Sequence, residues 1–192
     1  MALKNALRSL TAVLERLRIP YAVGGSVASS IHGVMRATVD IDILARVAFG
    51  QVDPLASALG QDWYADPESI RSAISAGRSF NLIYLPSAEK VDVFPATGEF
   101  HAFQLERAET VGVQFAGEEI PCPVATPEDV VLAKLQWYQA GGEVSERQWS
   151  DIIGVLVTKE ALDFRYLASW AARLGVARLL ARALEEAGKT RP

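Results

Sequence analysis

Cysteine and histidine are nearly absent from this chain, with one cysteine, Cys122, and two histidines, His32 and His101, in 192 residues. A lone cysteine cannot close an internal disulfide, and this usage suits a reducing cytoplasm, the localisation expected here. One thiol and two imidazoles also fall short of a structural zinc site. No apolar run approaches the length needed to cross a bilayer, so no membrane partner is expected. The N-terminal MALKNALRSLTAVLERLRIP lacks the unbroken hydrophobic stretch of a signal peptide. Lys4, Arg8, Glu15, Arg16 and Arg18 interrupt it at helical spacing, and it reads as an amphipathic helix. Internal repeats and low-complexity linkers are missing too.

A large net charge is also lacking, since 19 bases stand against 23 acids. Half the residues are hydrophobic, which makes the chain globular, with length for one substantial core or two small ones. The charge is unevenly spread. Residues 1–20 hold four bases and one acid, and 165–192 hold six bases and two acids. The acidic middle argues against a broad nucleic-acid face, which needs Lys and Arg at the phosphates. The basic ends are either solvated helical faces or a guide for an anionic partner.

Periodicity predicts a helix over 3–18, a short strand at 21–23, and a helix running to His32 with Ser26 as its N-cap. A strand follows at 38–47, then helices at 53–59 and 67–76, the second opened by Asp66-Pro67. Strands are expected at 79–86 and 89–95, and over 110–124 with a turn at Gly117. From Thr126 the pattern becomes helical. TPEDVVLAKLQWYQA starts with a capping Thr, a first-turn Pro and two acids. SERQWSDIIGVLV places Ser145 and Gln148 at capping-box spacing, and the remainder is helical with a break at Gly175. The expected class is α+β: a mixed sheet with flanking helices over 1–125, then a helical region over 126–192.

The chemistry gathers on two of these strands. In VDIDI, Val39, Ile41 and Ile43 share one face while Asp40 and Asp42 share the other. Two carboxylates on one strand face repel, so a counter-charge is required. In EKVDVF, Val91 and Val93 alternate with Asp92 in the same way. If the strands are neighbours with their apolar faces buried together, Asp92 joins Asp40 and Asp42. Oxygen ligands in that number suit Mg²⁺ or Mn²⁺, with substrate phosphate completing the shell. The Gly24-Gly25-Ser26 turn supplies the other half, because glycines allow close backbone approach and a helix start favours phosphate.

The stretch GGSVASSIHGVMRATVDIDI resembles the signature of the polymerase-β-type nucleotidyltransferase superfamily, a glycine-serine turn followed by an Asp-x-Asp strand. Gly33-x-x-Arg36-x-Thr38-x-Asp40-Ile41-Asp42 is most similar to its small bacterial branch. That branch includes nucleotidyltransferase toxins of abortive-infection systems and, more distantly, aminoglycoside nucleotidyltransferases. The resemblance implies that Asp40 and Asp42 bind two Mg²⁺ ions, that Asp92 shares a metal and deprotonates the acceptor hydroxyl, and that Gly25 and Ser26 hold the β- and γ-phosphates of an NTP. It also implies nucleotide contact for Lys134 and a positioning role for Asp151, although Ser150 stands where the toxin branch carries a base. An antitoxin-like protein partner belongs to the same expectation. Arg36 and Thr38 are either structural partners of the carboxylates or phosphate contacts.

The activity expected is Mg²⁺-dependent transfer of a nucleoside monophosphate from an NTP to an acceptor hydroxyl, with release of pyrophosphate. An RNA 3′ end, a protein hydroxyl and a small molecule all remain open as acceptors. The alternatives are a non-catalytic nucleotide-binding module and an Asp-x-Asp metal-dependent glycosyltransferase. His32 is expected to close a helix, and Trp137, Trp149 and Trp170 to anchor cores or interfaces.

Overall fold

The computed structural model describes residues 2–35, 40–115 and 117–189. In chain order its elements are α1 (Ala2–Arg16), β1 (Tyr21–Val23), α2 (Gly25–His32), β2 (Ile41–Ala45), α3 (Val52–Leu59), β3 (Trp63–Tyr64), α4 (Pro67–Ser75), β4 (Phe80–Tyr84), β5 (Glu89–Pro95), α5 (Gly98–Arg107), β6 (Glu109–Phe115), β7 (Glu118–Val124), α6 (Pro127–Ala140), α7 (Glu146–Thr158), α8 (Phe164–Arg173) and α9 (Ala177–Glu186). The class is α+β, as expected. The chain divides into two compact units, Met1–Gly24 with Thr38–Val124, and Gly25–Ala37 with Ala125–Pro192.

The first unit is built on one sheet with strand order β3-β4-β5-β2-β1-β7-β6. Pairing is parallel for β2 with β5 and for β1 with β7, and antiparallel elsewhere, so the sheet is mixed. The stripe of α1 is fully buried at Leu7, Leu10 and Leu14, and the helix packs against α3 and reaches β5 and β7. Beyond α1 the chain turns sharply: Arg18 takes φ +52° and the Ile19 amide donates back to the Leu14 carbonyl at 2.9 Å. All three residues of β1 are buried, as its place inside the sheet requires. Asp66 caps α4 by accepting from the Ser69 amide at 2.9 Å, with Pro67 in the first turn.

Two differences from expectation lie here. The strand predicted over 38–47 is found as β2 from Ile41, with Asp40 just ahead of it, while Arg36, Thr38 and Val39 lie outside the described residues. Helix α5 had no sequence signal. It buries only Phe100 and Gln104, and Thr97 makes no side-chain cap; its amide instead donates to His101 Nδ1 at 2.9 Å.

The second unit collects α2 with the four later helices. The start of α6 is held by a buried network. Thr126 Oγ1 accepts from the Asp129 amide and donates to Asp129 Oδ2 at 2.8 Å, and the Tyr166 hydroxyl donates to Asp129 Oδ1 at 2.6 Å. Ser145 caps α7 by accepting from the Gln148 amide, and Asp163 caps α8 by accepting from the Tyr166 amide. Gly175, at φ +74°, separates α8 from α9. Helix α2 packs on α6 and α7, and its end fits closely: a Cβ on Gly33 would stand 2.8 Å from the Val155 amide nitrogen. His32 closes α2, donating from Nε2 to the Ala125 carbonyl at 2.7 Å, consistent with its expected place at a helix end. Trp149 and Trp170 are buried.

Candidate functional site

Alternation decides which way each side chain of β2 and β5 points. Ile41, Ile43, Val91 and Val93 are all buried, so the residues between them occupy the opposite face. The parallel register pairs Ile41 with Val91, Asp42 with Asp92 and Ile43 with Val93. Register partners share a face, so Asp42 and Asp92 stand side by side on adjacent strands, roughly 4.8 Å apart along the hydrogen-bonding direction. Asp40 precedes Asp42 by two residues. All three carboxylates are partly exposed. Asn81, the partner of Asp92 on β4, continues the row.

A counter-charge comes from a residue the sequence reading did not single out. Lys90 Nζ lies 2.8 Å from Asp92 Oδ2. Its ammonium is held above the ordinary lysine range first by that hydrogen bond, which outweighs the opposing effect of burial, and further by the charges of Asp92, Asp40 and Asp42. The signal was present in EKVDVF: a residue two places before Asp92 shares its face.

The turn before α2 meets this strand pair through Gly24, whose amide donates to the Asp42 carbonyl at 2.9 Å. Gly25 follows at φ +52°, a conformation that side chains resist and glycine accepts. The helix therefore begins at Gly25, and Ser26 sits inside its first turn instead of at the cap position expected for it. Lys134 and Asp151 belong to the second unit, where they pair with each other: Nζ is 2.8 Å from Oδ2, with both side chains buried.

Among the described residues, no three His, Cys, Asp or Glu side chains are gathered as a ready-made metal site. An oxygen of Asp92 is already engaged by Lys90. The donor set is nonetheless of the kind a hard divalent cation takes: the carboxylates of Asp42 and Asp92 on one partly exposed strand face, with that of Asp40 just ahead of β2.

Neither a protein-family model nor a curated protein matches the sequence. Three solved structures are similar in outline. One is a solution structure of the antibiotic-resistance factor ANT(2'')-Ia, at 18% identity over 94% of this chain and 91% of that one, with TM-score 0.45. A crystal structure of ANT(2'')-Ia in complex with adenylyl-2''-tobramycin is 14% identical over 95% and 98%, with TM-score 0.46. An antigenic nucleotidyltransferase-like protein from Paracoccidioides brasiliensis is 18% identical over 92% of both chains, with TM-score 0.47. Similarity at this level carries nothing about the activity of this chain. Among the described residues no helix is long and apolar enough to cross a membrane.

Proposed function

We propose that this protein is a nucleotidyltransferase, moving a nucleoside monophosphate from an NTP to an acceptor hydroxyl with release of pyrophosphate. The observation that carries the reading is the register of β2 against β5, which sets Asp42 beside Asp92 on a partly exposed face, with Asp40 two residues before Asp42. Asp40, Asp42 and Asp92 would hold Mg²⁺ or Mn²⁺. When bound, such a cation stabilises negative charge on the α-phosphate and on the leaving pyrophosphate. Asp92 takes the proton of the acceptor hydroxyl, whose oxygen forms the new bond to the α-phosphorus as the α–β bridge breaks. Backbone amides and the hydroxyl at Gly24, Gly25 and Ser26 orient the phosphates at the start of α2. Arg36 and Thr38 are proposed to assist at the phosphates or the carboxylates. Lys134 and Asp151 are assigned to holding α6 and α7 together. A hydroxyl on a small molecule or a protein is the preferred acceptor class over an RNA end, because the acidic middle of the chain offers few phosphate contacts for an RNA. An antitoxin-like partner is not needed for this chemistry.

Thermal stability tests the reading. Mg²⁺ with an NTP should stabilise the metal-free protein far more than either alone, by about 2.7 kcal/mol when the complex is at a hundred times its Kd. Asp42→Asn should abolish that shift while leaving the protein folded. An unchanged shift in D42N rules out these carboxylates as the site.

A further inference from the structure

Lys90 is half-exposed, and on geometry alone its amine could lie in water. Instead its Nζ is on Asp92 Oδ2 at 2.8 Å, at the carboxylate proposed above to bind metal and accept a proton. Lys90 stands one residue ahead of Val91, and Asp40 one residue ahead of Ile41, its register partner, so the ammonium is on the Asp40 side of the row. It feels all three carboxylates. An ammonium and a divalent cation beside one carboxylate compete for its charge, and at a few ångströms in water-like surroundings they repel by an amount worth about a tenfold change in affinity or more.

Building on the nucleotidyltransferase reading, we infer that Lys90 is a resident counter-ion that couples metal entry to nucleotide binding. With no nucleotide present it occupies Asp92, neutralises part of the row and keeps bare divalent cations weakly bound. A cation that binds Asp92 competes with Lys90 for it, and a triphosphate arriving with the cation gives the displaced ammonium a new anionic partner. The site therefore favours the metal–NTP complex over free metal. Such a device suits adjacent carboxylates, whose like charges repel.

The test is titration of Mn²⁺, followed by electron paramagnetic resonance and calorimetry, into wild type, K90Q, K90R and D42N, with and without a non-hydrolysable NTP analogue. Lys90 is exposed enough for both of its variants to fold, which circular dichroism checks. Without nucleotide, K90Q should bind Mn²⁺ at least tenfold more tightly than wild type, and K90R should resemble wild type. The enhancement of Mn²⁺ binding by the analogue should shrink in K90Q by a similar factor. In metal-free buffer K90Q should also melt at lower temperature than wild type and recover on adding Mn²⁺. Bare Mn²⁺ binding in K90Q within twofold of wild type, with normal Mn²⁺–analogue binding in wild type, overturns the role of Lys90 and leaves the enzyme reading standing. Titrations unaffected by D42N remove both together, because the metal then binds elsewhere.

Discussion

Replacing Lys134 with methionine should be among the most damaging single changes on the helical unit. The ammonium lies 2.8 Å from Asp151 Oδ2, and the two side chains are only 4% and 8% exposed. Methionine keeps most of the length and apolar stem, so little packing is lost. What is lost is one partner of a buried ion pair, a change that costs up to about 3–5 kcal/mol. The chain carries its own control. Arg8 and Glu118 form an ion pair at 3.0 Å whose side chains are 54% and 52% exposed. There water screens the charges, and Arg8→Met should cost less than about 1 kcal/mol. Urea denaturation of the two variants, with K134M/D151N as a third, measures the difference directly. The double variant removes the buried negative charge as well and should recover at least about 1 kcal/mol of the loss. If K134M and R8M cost the same within about 0.5 kcal/mol, burial does not govern the pair and the reasoning fails. The same proteins address function. A lysine committed to Asp151 should leave NTP affinity of the folded protein within twofold of wild type, whereas a large loss of affinity with stability preserved would return Lys134 to the nucleotide.

Two further changes follow from packing and burial. Gly33→Ala places a Cβ 2.8 Å from the Val155 nitrogen and 2.9 Å from the Gly154 carbonyl carbon and the Ser29 carbonyl oxygen, all backbone, and should cost about 1–3 kcal/mol by thermal melt. Gly154→Ala, whose nearest neighbours are Val34 atoms at 3.4 Å, should cost clearly less; equal costs would contradict the close approach of α2 to α7. Burial, with a smaller contribution from the charge of Glu15, pushes the Cys122 thiol up from 9.0 to about 11. The folded protein thus holds this proton more tightly than the unfolded chain, so the stability involved is complete below pH 9 and lost as pH rises toward 11, at most about 3 kcal/mol. Burial and the hydrogen bond to Glu15 push Tyr21 up too, so Cys122→Ala should flatten the alkaline loss of the urea midpoint only in part, and an unchanged slope would refute the assignment.

Local signals carried the elements that position the candidate site. Alternation in VDIDI and EKVDVF identified two strands and the face each carboxylate occupies, and the pairing of β2 with β5 met the condition set for them. Asp66, Thr126 and Ser145 cap the helices they were expected to open, because capping is decided within four residues. Non-local facts were not readable in this way. The grouping of α2 with α6 and α7 depends on contacts about a hundred residues apart in sequence. Helix α5 lacks both an apolar stripe and a side-chain cap, leaving no local pattern to read. Strand β3 is two residues long and is defined by its pairing with β4. Lys90 lies two residues before Asp92 on the same strand face, but its pairing with that carboxylate is a side-chain contact that alternation alone does not show.

Nucleotidyl transfer by the carboxylates at β2 and β5 is the proposal to test first. Label transfer tests it most directly: the protein with Mg²⁺ and each α-³²P NTP in a crude bacterial extract, beside D42N. Label should appear in an acceptor with the wild type, with pyrophosphate as the second product, and neither should appear with D42N. Equal labelling by D42N, or bound NTP with no label in any fraction, would contradict it.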